Sequence, residues 1–179
     1  MIESNWVSKH IYKYCPLCGK KLRSDLIEGR KRKNCPACGF VDYHNPLPCV
    51  SIIGIKGDKI ALIKRGIEPS KGSWAPPSGF MEYGEFPEET ALRELYEETS
   101  LKAKVIKLLG VYSQHTKIYG NLVVIIFMVN ITGGKIKAGD DAEEARFFHI
   151  EEIPPMKYEF YDKAIENAKR WIKKHKKRR

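Results

Sequence analysis

Acidic residues crowd the stretch 79–101, and three of them have a spacing that suits metal binding. Glu94, Glu97 and Glu98 stand at positions i, i+3 and i+4, so a helix would bring their carboxylates to one face. Like charges at this spacing repel one another by roughly a few tenths of a kcal/mol per pair, unless cations or arginines lie among them. Hard cations prefer oxygen ligands and also bind phosphate groups. The stretch therefore predicts a site for a divalent cation bound to phosphate.

The residues around these acids predict a helix that follows a loop. Pro87 suits a first helical position, and a further carboxylate, Glu85, stands at the helix entrance. The loop 79–84 is bounded by glycines and leads into the helix. An apolar side for packing is supplied by Ala91, Leu92 and Leu95. A glycine-bounded loop that feeds an acidic helix forms a compact site for a cation and its phosphate.

The same stretch is similar to the Nudix box, G-x5-E-x7-R-E-U-x-E-E-x-G-U, in which U is a bulky aliphatic residue. The residues in register are Gly79, Glu85, Arg93, Glu94, Leu95, Glu97, Glu98 and Leu101. Ser100 departs from the pattern, since the family has glycine at this helix end; a serine can adopt the same cap at a modest strain cost. A solvated acidic helix is the alternative, which a pattern fixed across 23 residues disfavours. The resemblance implies metal-dependent hydrolysis of a nucleoside diphosphate linked to another group.

The resemblance also implies roles for the carboxylates of the box. Glu94, Glu97 and Glu98 are expected to bind the metal or to support its ligands. Glu97 and Glu98 are the expected direct ligands, and Glu85 is expected to assist them. The expected cofactor is Mg²⁺ (or Mn²⁺), because a divalent cation neutralises the phosphates and acidifies the attacking water.

Arg93 and a distal acid complete the predicted catalytic set. Arg93 has Glu89 four residues before it and Glu97 four residues after it, so we expect it to pair with carboxylates rather than with substrate. Nudix enzymes take their general base from the box or from an acidic loop farther along the chain. In the acidic segment 140–144, Asp141 and Glu144 are the preferred candidates, with a solvated turn as the equal alternative.

Adenine recognition requires a flat surface and a few polar groups. The candidate substrate-binding residues are Trp74, Gly79, Tyr112 and Tyr119, although each aromatic ring could equally belong to core or edge packing. NADH pyrophosphatases follow the box with the signature SQPWPFPxS. Here only Ser113 and Gln114 match it, because the segment 115–119 reads HTKIY. This departure favours a broader ADP-containing substrate, such as ADP-ribose or FAD.

Four of the five cysteines form two C-x2-C pairs with 16 residues between them. The pairs are Cys15 with Cys18 and Cys35 with Cys38, and each pair is followed by a glycine. This arrangement is typical of a four-thiolate zinc ribbon, in which the zinc is structural. Disulfides are the alternative, and a reducing cytosol disfavours them. Cys49 lies in an apolar run and is interpreted as a small core residue rather than a fifth ligand.

The net charge of +10 is concentrated at the two ends of the chain. Residues 1–46 carry +5 and residues 169–179 carry +8, whereas residues 47–168 carry −3. The basic tail 173–179 complements the macrodipole of a helix end, so we favour a solvated tail over one that binds a polyanion. An exposed charged turn is likewise the favoured interpretation of the basic run 30–33. Nucleic acid is therefore a less favoured partner than a small nucleotide.

No segment of the sequence suits membrane insertion. The longest apolar run, 122–129, is too short to cross a bilayer, and no hydrophobic signal segment is found at the N-terminus. We therefore expect a cytoplasmic protein without a membrane partner. The oligomeric state stays open, and a homodimer is one option.

The pattern of apolar residues predicts an α/β fold in two parts. A zinc ribbon is expected at 1–46, with a hairpin at 26–34, and a Nudix domain at 47–179. Strands are predicted at 50–55, 59–64, 104–112, 122–130 and 145–149, and a closing helix at 159–174. The segment 74–79 is expected to be irregular because it contains two prolines. The resemblance implies the Nudix α/β/α sandwich, a mixed sheet covered by helices.

A zinc ribbon before a Nudix domain resembles the branch of NADH, ADP-ribose and FAD pyrophosphatases. The predicted function is Mg-dependent hydrolysis of ADP-ribose, FAD or NADH with release of AMP. One alternative is hydrolysis of damaged nucleoside triphosphates or of nucleotide-capped RNA. An alternative of another class is a zinc-ribbon module that binds nucleic acid on an inactive Nudix scaffold. The four acidic residues of the box in catalytic register favour the enzyme.

Overall fold

The computed structural model describes residues 12–139 and 141–176, which fall into two compact units. One unit is Met1–Leu47 with His115–Asn121, and the other is Pro48–Gln114 with Leu122–Arg179. Asp140 and the last three residues of the predicted basic tail lie outside the described residues. Within the described residues, no helix has the length and apolar character needed to span a membrane.

The N-terminal unit contains a small antiparallel sheet of three strands. Their order is β1 (Arg23–Ile27), β2 (Arg30–Asn34) and β3 (Val41–Asp42). Glu28 and Gly29 join β1 to β2 with positive φ angles of 52° and 73°. Two such residues in a row suit a two-residue hairpin turn, whose twist matches that of the strands. The predicted hairpin is confirmed.

The second unit is built on a seven-stranded sheet. Its strands are β4 (Leu47–Lys56), β5 (Lys59–Arg65), β6 (Trp74–Ala75), β7 (Ser78–Phe80), β8 (Lys102–Thr116), β9 (Gly120–Gly133) and β10 (Ala142–His149). The order is β10-β5-β4-β9-β8, with β6 paired to β5 and β7 paired to β4. All five predicted strands of this domain are present, and each extends beyond its predicted bounds at one end or both.

The expectation that the segment 74–79 is irregular is wrong. Pro76 and Pro77 interrupt the backbone pairing, but the residues on either side of them still form β6 and β7. Proline removes its own N–H and restricts the residue before it, so its effect stays local. Ser78 pairs with Ser51 across β7 and β4, which places the start of the box against a central strand.

Two helices cover opposite faces of the sheet. Helix α1 (Pro87–Thr99) packs the buried side chains of Ala91 and Leu95 into a core that includes Val50 and Ile52 of β4. Side chains alternate along a strand, so Ser51 points to the other face. There its hydroxyl lies 2.9 Å from the hydroxyl of Tyr161, which belongs to helix α2 (Glu159–Lys176). The predicted mixed sheet with helices on both faces is confirmed.

Both ends of α1 are fixed by specific contacts. The Glu89 carboxylate accepts a hydrogen bond from the Phe86 backbone N–H at 2.9 Å, which satisfies one free donor of the first turn. At the other end, Ser100 adopts a left-handed conformation with φ of 58°, and its N–H donates to the Tyr96 carbonyl at 2.7 Å. Serine therefore takes the cap that glycine takes in the family pattern.

Candidate active site and four-cysteine cluster

An ion pair between Glu85 and Arg93 joins the entrance of α1 to its second turn. Arg93 Nε donates to Glu85 Oε1 at 2.6 Å, and Arg93 Nη2 donates to Glu85 Oε2 at 2.9 Å. Glu85 also accepts hydrogen bonds from the Thr90 hydroxyl and the Glu82 N–H. The Arg93 hydrogen bonds are the main reason why the pKa of Glu85 falls to about 2. Glu85 is therefore a fixed carboxylate, ionised at every physiological pH.

Arg93 organises the remaining acids on this face of the helix. Its Nη1 donates to Glu94 Oε1 at 2.6 Å and to Glu97 Oε2 at 2.9 Å, while Nη2 donates to the Phe80 carbonyl at 3.0 Å. Glu89, the other acid at helical spacing from Arg93, uses its carboxylate to cap the helix. One guanidinium thus offsets the repulsion among the carboxylates and restricts their rotamers.

The Glu94 carboxylate lies directly against the backbone of Gly79. A Cβ built on Gly79 would be 2.1 Å from Glu94 Cδ, far inside van der Waals contact. The Glu94 side chain is 13% exposed, and burial raises the pKa of its carboxyl. Any larger residue at position 79 would displace Glu94. The first position of the box therefore requires glycine, because the Glu94 carboxylate approaches the backbone there. Gly79 contributes to the site through this contact.

Glu98 is the buried acid of the cluster. Its residue exposure is 5%, against a side-chain exposure of 39% for Glu97, and its Oε2 accepts a hydrogen bond from the Ser78 N–H at 2.9 Å. Burial, with a smaller contribution from the charge of Glu94, raises its pKa to about 8. Two neighbouring carboxylates shielded from water form a strong site for a divalent cation, because the cation offsets both the burial and the repulsion.

A buried polar network behind Glu98 could not be read from the sequence. Tyr161 of α2 is buried, its hydroxyl meets the Ser51 hydroxyl, and Ser78 is a further hydrogen-bond partner. The same Ser78 donates its N–H to Glu98, so α2 supports the strand that holds the acid. The spacing of α2 marked Tyr161 only as an apolar position. A tyrosine at a buried position of a helix needs a hydrogen-bond partner for its hydroxyl, and this was the available signal for the network.

Cys49 and Arg65 also lie near the acid cluster. Burial raises the pKa of the Cys49 thiol to about 12, with smaller effects from Glu94 and Glu98. Cys49 is half-buried rather than a fully enclosed core residue, and it is not part of the four-cysteine cluster. The positive charge of Arg65 acts on Glu98, while its Nε donates to the Pro69 carbonyl at 2.7 Å. Arg65 therefore brings a second cation near the buried acid.

The two distal acids have different surroundings. The Asp141 carboxylate lies near enough to Glu98 for its charge to act on that group. The Glu144 carboxylate is in an ion pair with Arg146 and lies 3.5 Å from Lys64 Nζ. Its hydrogen bond with Arg146 lowers the pKa of Glu144. A carboxylate held ionised by two cations is a weak base, so the structure favours Asp141 over Glu144.

The candidate aromatic residues lie in three different settings. Trp74 packs edge-on against Phe148, with ring centroids 4.7 Å apart. Tyr112 stacks on Phe160 at the start of α2, with centroids 5.4 Å apart. Tyr119 lies in the turn between β8 and β9, where its N–H donates to the Thr116 hydroxyl. Trp74 and Tyr112 thus have packing partners within the sheet and helix layers of the second unit.

Four thiols converge in the N-terminal unit, those of Cys15, Cys18, Cys35 and Cys38, and their sulfur atoms all lie within 4.8 Å of one another. Both pairs form the same turn: Gly19 N–H donates to the Cys15 carbonyl at 2.9 Å, and Gly39 N–H to the Cys35 carbonyl at 3.0 Å. All five cysteines of the chain are free thiols, so the disulfide alternative fails. Tetrahedral zinc with Zn–S bonds of about 2.3 Å requires sulfurs about 3.8 Å apart, which the cluster fits.

The geometry of both clusters agrees with comparisons to known proteins. Residues 45–168 match the NUDIX domain family, and residues 13–44 match the Nudix N-terminal zinc ribbon. The chain belongs to the Nudix hydrolases and carries the zinc-ribbon module of that family. The predicted family and the prediction of an enzyme are confirmed.

Among curated relatives, the chain is similar to an ADP-ribose pyrophosphatase of Methanocaldococcus jannaschii. The two are 40% identical over 156 residues, which is 87% of this chain and 89% of the relative. It is also similar to the NAD-capped RNA hydrolase NudC of Stutzerimonas stutzeri, with 28% identity over 84% of this chain and 52% of the relative. The chain spans about half the length of that second relative.

Among solved structures, the chain resembles a NUDIX hydrolase from Nitrosomonas europaea. The TM-score is 0.71 at 32% identity, over 80% of this chain and 81% of the other. A UDP-X diphosphatase gives a TM-score of 0.61 at 26% identity, over 72% of this chain and 65% of the other. Both similarities support the assignment of the fold.

Proposed function

We propose that this enzyme hydrolyses the pyrophosphate bond of ADP-ribose and of similar ADP-containing metabolites, releasing AMP. The observation that carries the proposal is the pair of shielded carboxylates, Glu94 and Glu98, beside the Arg93 ion-pair network. The ADP-ribose pyrophosphatase that matches most of this chain supports ADP-ribose as the substrate. FAD and NADH are the other substrates of this class.

The acid cluster fits a divalent cation, and we propose Mg²⁺, or Mn²⁺ in its place. Its donor atoms are carboxylate oxygens, which hard cations prefer. Glu94, Glu97 and Glu98 would hold the ion, with Glu97 and Glu98 as direct ligands and Glu85 assisting through Arg93. When bound, the cation neutralises phosphate charge and makes a water molecule more acidic.

The residues of this chain orient the reacting groups. Arg93 holds Glu85, Glu94 and Glu97 in fixed positions, so little reorganisation is needed when substrate binds. The Ser78 N–H fixes one oxygen of Glu98 and leaves the other for the site. Asp141 is the proposed general base outside the box, since its carboxylate is near Glu98 and exposed to water. Trp74, Tyr112 and Tyr119 remain candidates for contacts with the substrate.

The four-cysteine cluster is proposed to hold one structural zinc ion. All four ligand positions are filled by thiols, so no position is left for a reacting water. We propose the division of the chain into a ribbon at 1–46 and a catalytic domain at 47–179. A ribbon of this size has little apolar surface to bury, and a metal supplies the missing folding free energy.

The proposal is tested by a substrate panel with and without Mg²⁺. ADP-ribose, NADH, FAD and nucleoside triphosphates are each incubated with the full chain, and AMP or phosphate release is measured. We expect ADP-ribose to give the highest kcat/KM and no turnover without a divalent cation. Faster hydrolysis of nucleoside triphosphates than of every ADP-containing substrate would replace the proposal with the hydrolysis of triphosphates.

A second candidate substrate is RNA that carries a nucleotide cap. The names of several relatives, NAD-capped RNA hydrolases, favour it, and so does the basic surface of strand β2, in which Arg30 and Lys31 are exposed. A short NAD-capped RNA tests this candidate against free NADH at equal concentration. A preference for the RNA that disappears in 0.5 M salt would support phosphate contacts, because such contacts release counterions.

A further inference from the structure

The seven-stranded sheet ends on two edge strands, β8 and β10, which differ in how charge is placed along them. Strand β10 carries Glu143, Glu144 and Arg146, and charged side chains on an edge strand oppose pairing with another chain. Strand β8 has lysines only in its first six residues, and residues 108–116 contain no Lys, Arg, Asp or Glu. The second half of β8 therefore lacks the charges that protect β10.

Residues 108–112 of β8, which read LLGVY, also expose apolar side chains, and we call them the β8 edge segment. Leu108 is 49% exposed and Val111 is 56% exposed. In the part of the chain that the structure describes, β8 pairs with β9 alone, so the other side of β8 has no strand partner. A long apolar edge strand of this kind is a template for pairing with a further strand.

The β8 edge segment offers apolar side chains on both faces of the sheet, because side chains alternate along a strand. Tyr112 lies on the face covered by α2, where its ring stacks on Phe160 with centroids 5.4 Å apart. Leu108 lies on the same face, four residues earlier. The Tyr112 ring also lies over Gly110, since a Cβ there would be 2.7 Å from the Tyr112 hydroxyl. Val111 lies on the opposite face, which α1 covers.

The order of residues in the β8 edge segment makes it complementary to a second copy of itself. Two identical strands that pair about a two-fold axis run antiparallel and bring the same residues together on both sides. An axis at Gly110 places Leu108 of one copy opposite Tyr112 of the other. It also places Leu109 opposite Val111. Apolar side chains directly opposite one another stabilise a pair of strands.

The lysines of β8 fit the same register. The axis at Gly110 places Lys107 opposite Ser113 of the second copy and Lys104 opposite Thr116. Lys102 lies beyond the end of the paired region. No lysine of β8 therefore stands directly opposite another lysine, an arrangement that would destabilise the pair.

We propose that the β8 edge segments of two copies of this chain pair antiparallel about a two-fold axis at Gly110, so that one sheet continues through both copies. Leu108 of each copy then packs against the stacked rings of Tyr112 and Phe160 in the other. The partner is a second copy rather than a different protein, because the apolar order and the lysine positions of the strand match the strand itself. This inference is independent of the proposed hydrolysis, since its test measures association and not turnover.

Sedimentation velocity of the full chain over a range of concentrations tests the pairing. We expect wild type to dimerise and Val111→Lys to raise the Kd of the dimer at least about tenfold, because each substitution alters two symmetry-related pairs. Leu108→Ser, which removes an apolar contact without adding charge, should raise Kd severalfold. The matched control is Tyr96→Lys, at a 54% exposed position of α1, which adds the same charge and should leave Kd unchanged. Circular dichroism should show the wild-type fold in all three variants.

Hydrogen exchange identifies what covers the β8 edge segment. Amides within 108–112 should exchange more slowly as the protein concentration rises, because association with a second copy depends on concentration. A chain that is monomeric at every concentration overturns the proposal, and so does a dimer that Val111→Lys leaves intact. Slow exchange that does not vary with concentration would indicate another segment of the same chain on this edge, such as residues 1–11, and would also overturn it.

Discussion

The acid cluster and the four-cysteine cluster both gather metal-binding residue types, but the chain holds them differently. Each cysteine pair sits in its own short turn, closed by the N–H of Gly19 or Gly39. Glu98, in contrast, depends on Ser78, which is 20 residues away in sequence and belongs to strand β7. Two local turns need only be brought together to complete the first cluster. The second cluster holds Glu98 in its buried position only when β7 and α1 pack side by side.

The two clusters also differ in how they respond to an absent metal. Among the described residues, the small unit around the four thiols has a core of only a few apolar side chains. The acids have Arg93 among them and stand on a helix packed into a large core. Zinc should therefore matter for folding, and the divalent cation of the acid cluster for chemistry.

The largest expected effect comes from the buried acid. Glu98→Gln should lower kcat for ADP-ribose by at least roughly a hundredfold, since the loss of a ligand charge costs about 3 kcal/mol or more at the transition state. Circular dichroism should show an unchanged fold. The control is Glu88→Gln, an exposed acid in the first turn of the same helix, which should keep full activity. Wild-type turnover in Glu98→Gln would remove that carboxylate from the metal site.

Loss of a zinc ligand should break the other cluster without affecting the chemical step. Cys35→Ser should lower the zinc content from one ion per chain and lower Tm, because zinc supplies folding free energy to the ribbon. Turnover of ADP-ribose should persist. Elemental analysis and calorimetry measure the two quantities, and Cys49→Ser, outside the cluster, should retain its zinc. A zinc-free protein with an unchanged Tm contradicts the structural role.

The raised pKa of Glu98 predicts how stability depends on pH in Mg-free buffer. The folded-state pKa of about 8 lies above the usual 4.5, so the folded state binds more protons than the unfolded state between these values. Stability from this group is fully present below about pH 4.5 and is lost as pH rises through about 8. Urea unfolding from pH 5 to 9 should show a steeper decline for wild type than for Glu98→Gln. Equal slopes would mean that Glu98 titrates normally.

Removal of the buried Tyr161 hydroxyl tests whether α2 supports the acid cluster. Tyr161→Phe keeps the ring but removes the hydrogen bond to Ser51, which costs about 1 kcal/mol of stability. We expect kcat for ADP-ribose to fall severalfold with KM nearly unchanged. The substitution removes a hydrogen bond to Ser78, and Ser78 in turn holds the Glu98 carboxylate. Tyr158→Phe, on a ring stacked against Phe160, is the control. If kcat stays at the wild-type value, the network is only structural.

The smallest expected effect concerns the end of α1. Ser100 has a left-handed backbone conformation that costs a residue with a Cβ roughly 1 kcal/mol. Ser100→Gly should therefore raise the free energy of unfolding by about 0.5–1 kcal/mol, less the greater chain entropy of glycine. Chemical denaturation measures this change. A lower stability in the variant would show that the serine makes a contact that offsets its strain.

Patterns within short stretches of sequence predicted a large part of this protein. The spacing of the cysteines predicted the four-thiol cluster, since two residues between ligands produce a turn by themselves. The helical spacing of Glu94, Glu97 and Glu98 predicted a shared face, and Pro87 marked the start of the helix. The alternation and length of the apolar runs predicted the five strands β4, β5, β8, β9 and β10, but not the short strand β3. These features depend on neighbours in the chain, so local sequence is enough to specify them.

Only the tertiary structure decided which acid is buried, what supports it and what lies beside it. Helical spacing treats Glu97 and Glu98 alike, yet packing against β7 buries Glu98 and leaves Glu97 exposed to water. Tyr161 reaches Ser51 across 110 residues of sequence, and Gly66 meets Asp141 only because the loop after β5 lies against the entrance to β10. The pKa of a carboxylate and the shape of a cavity depend on every group within a few ångströms. Segments that are distant in sequence supply most of those groups, and the packing of the whole sheet determines where the groups lie.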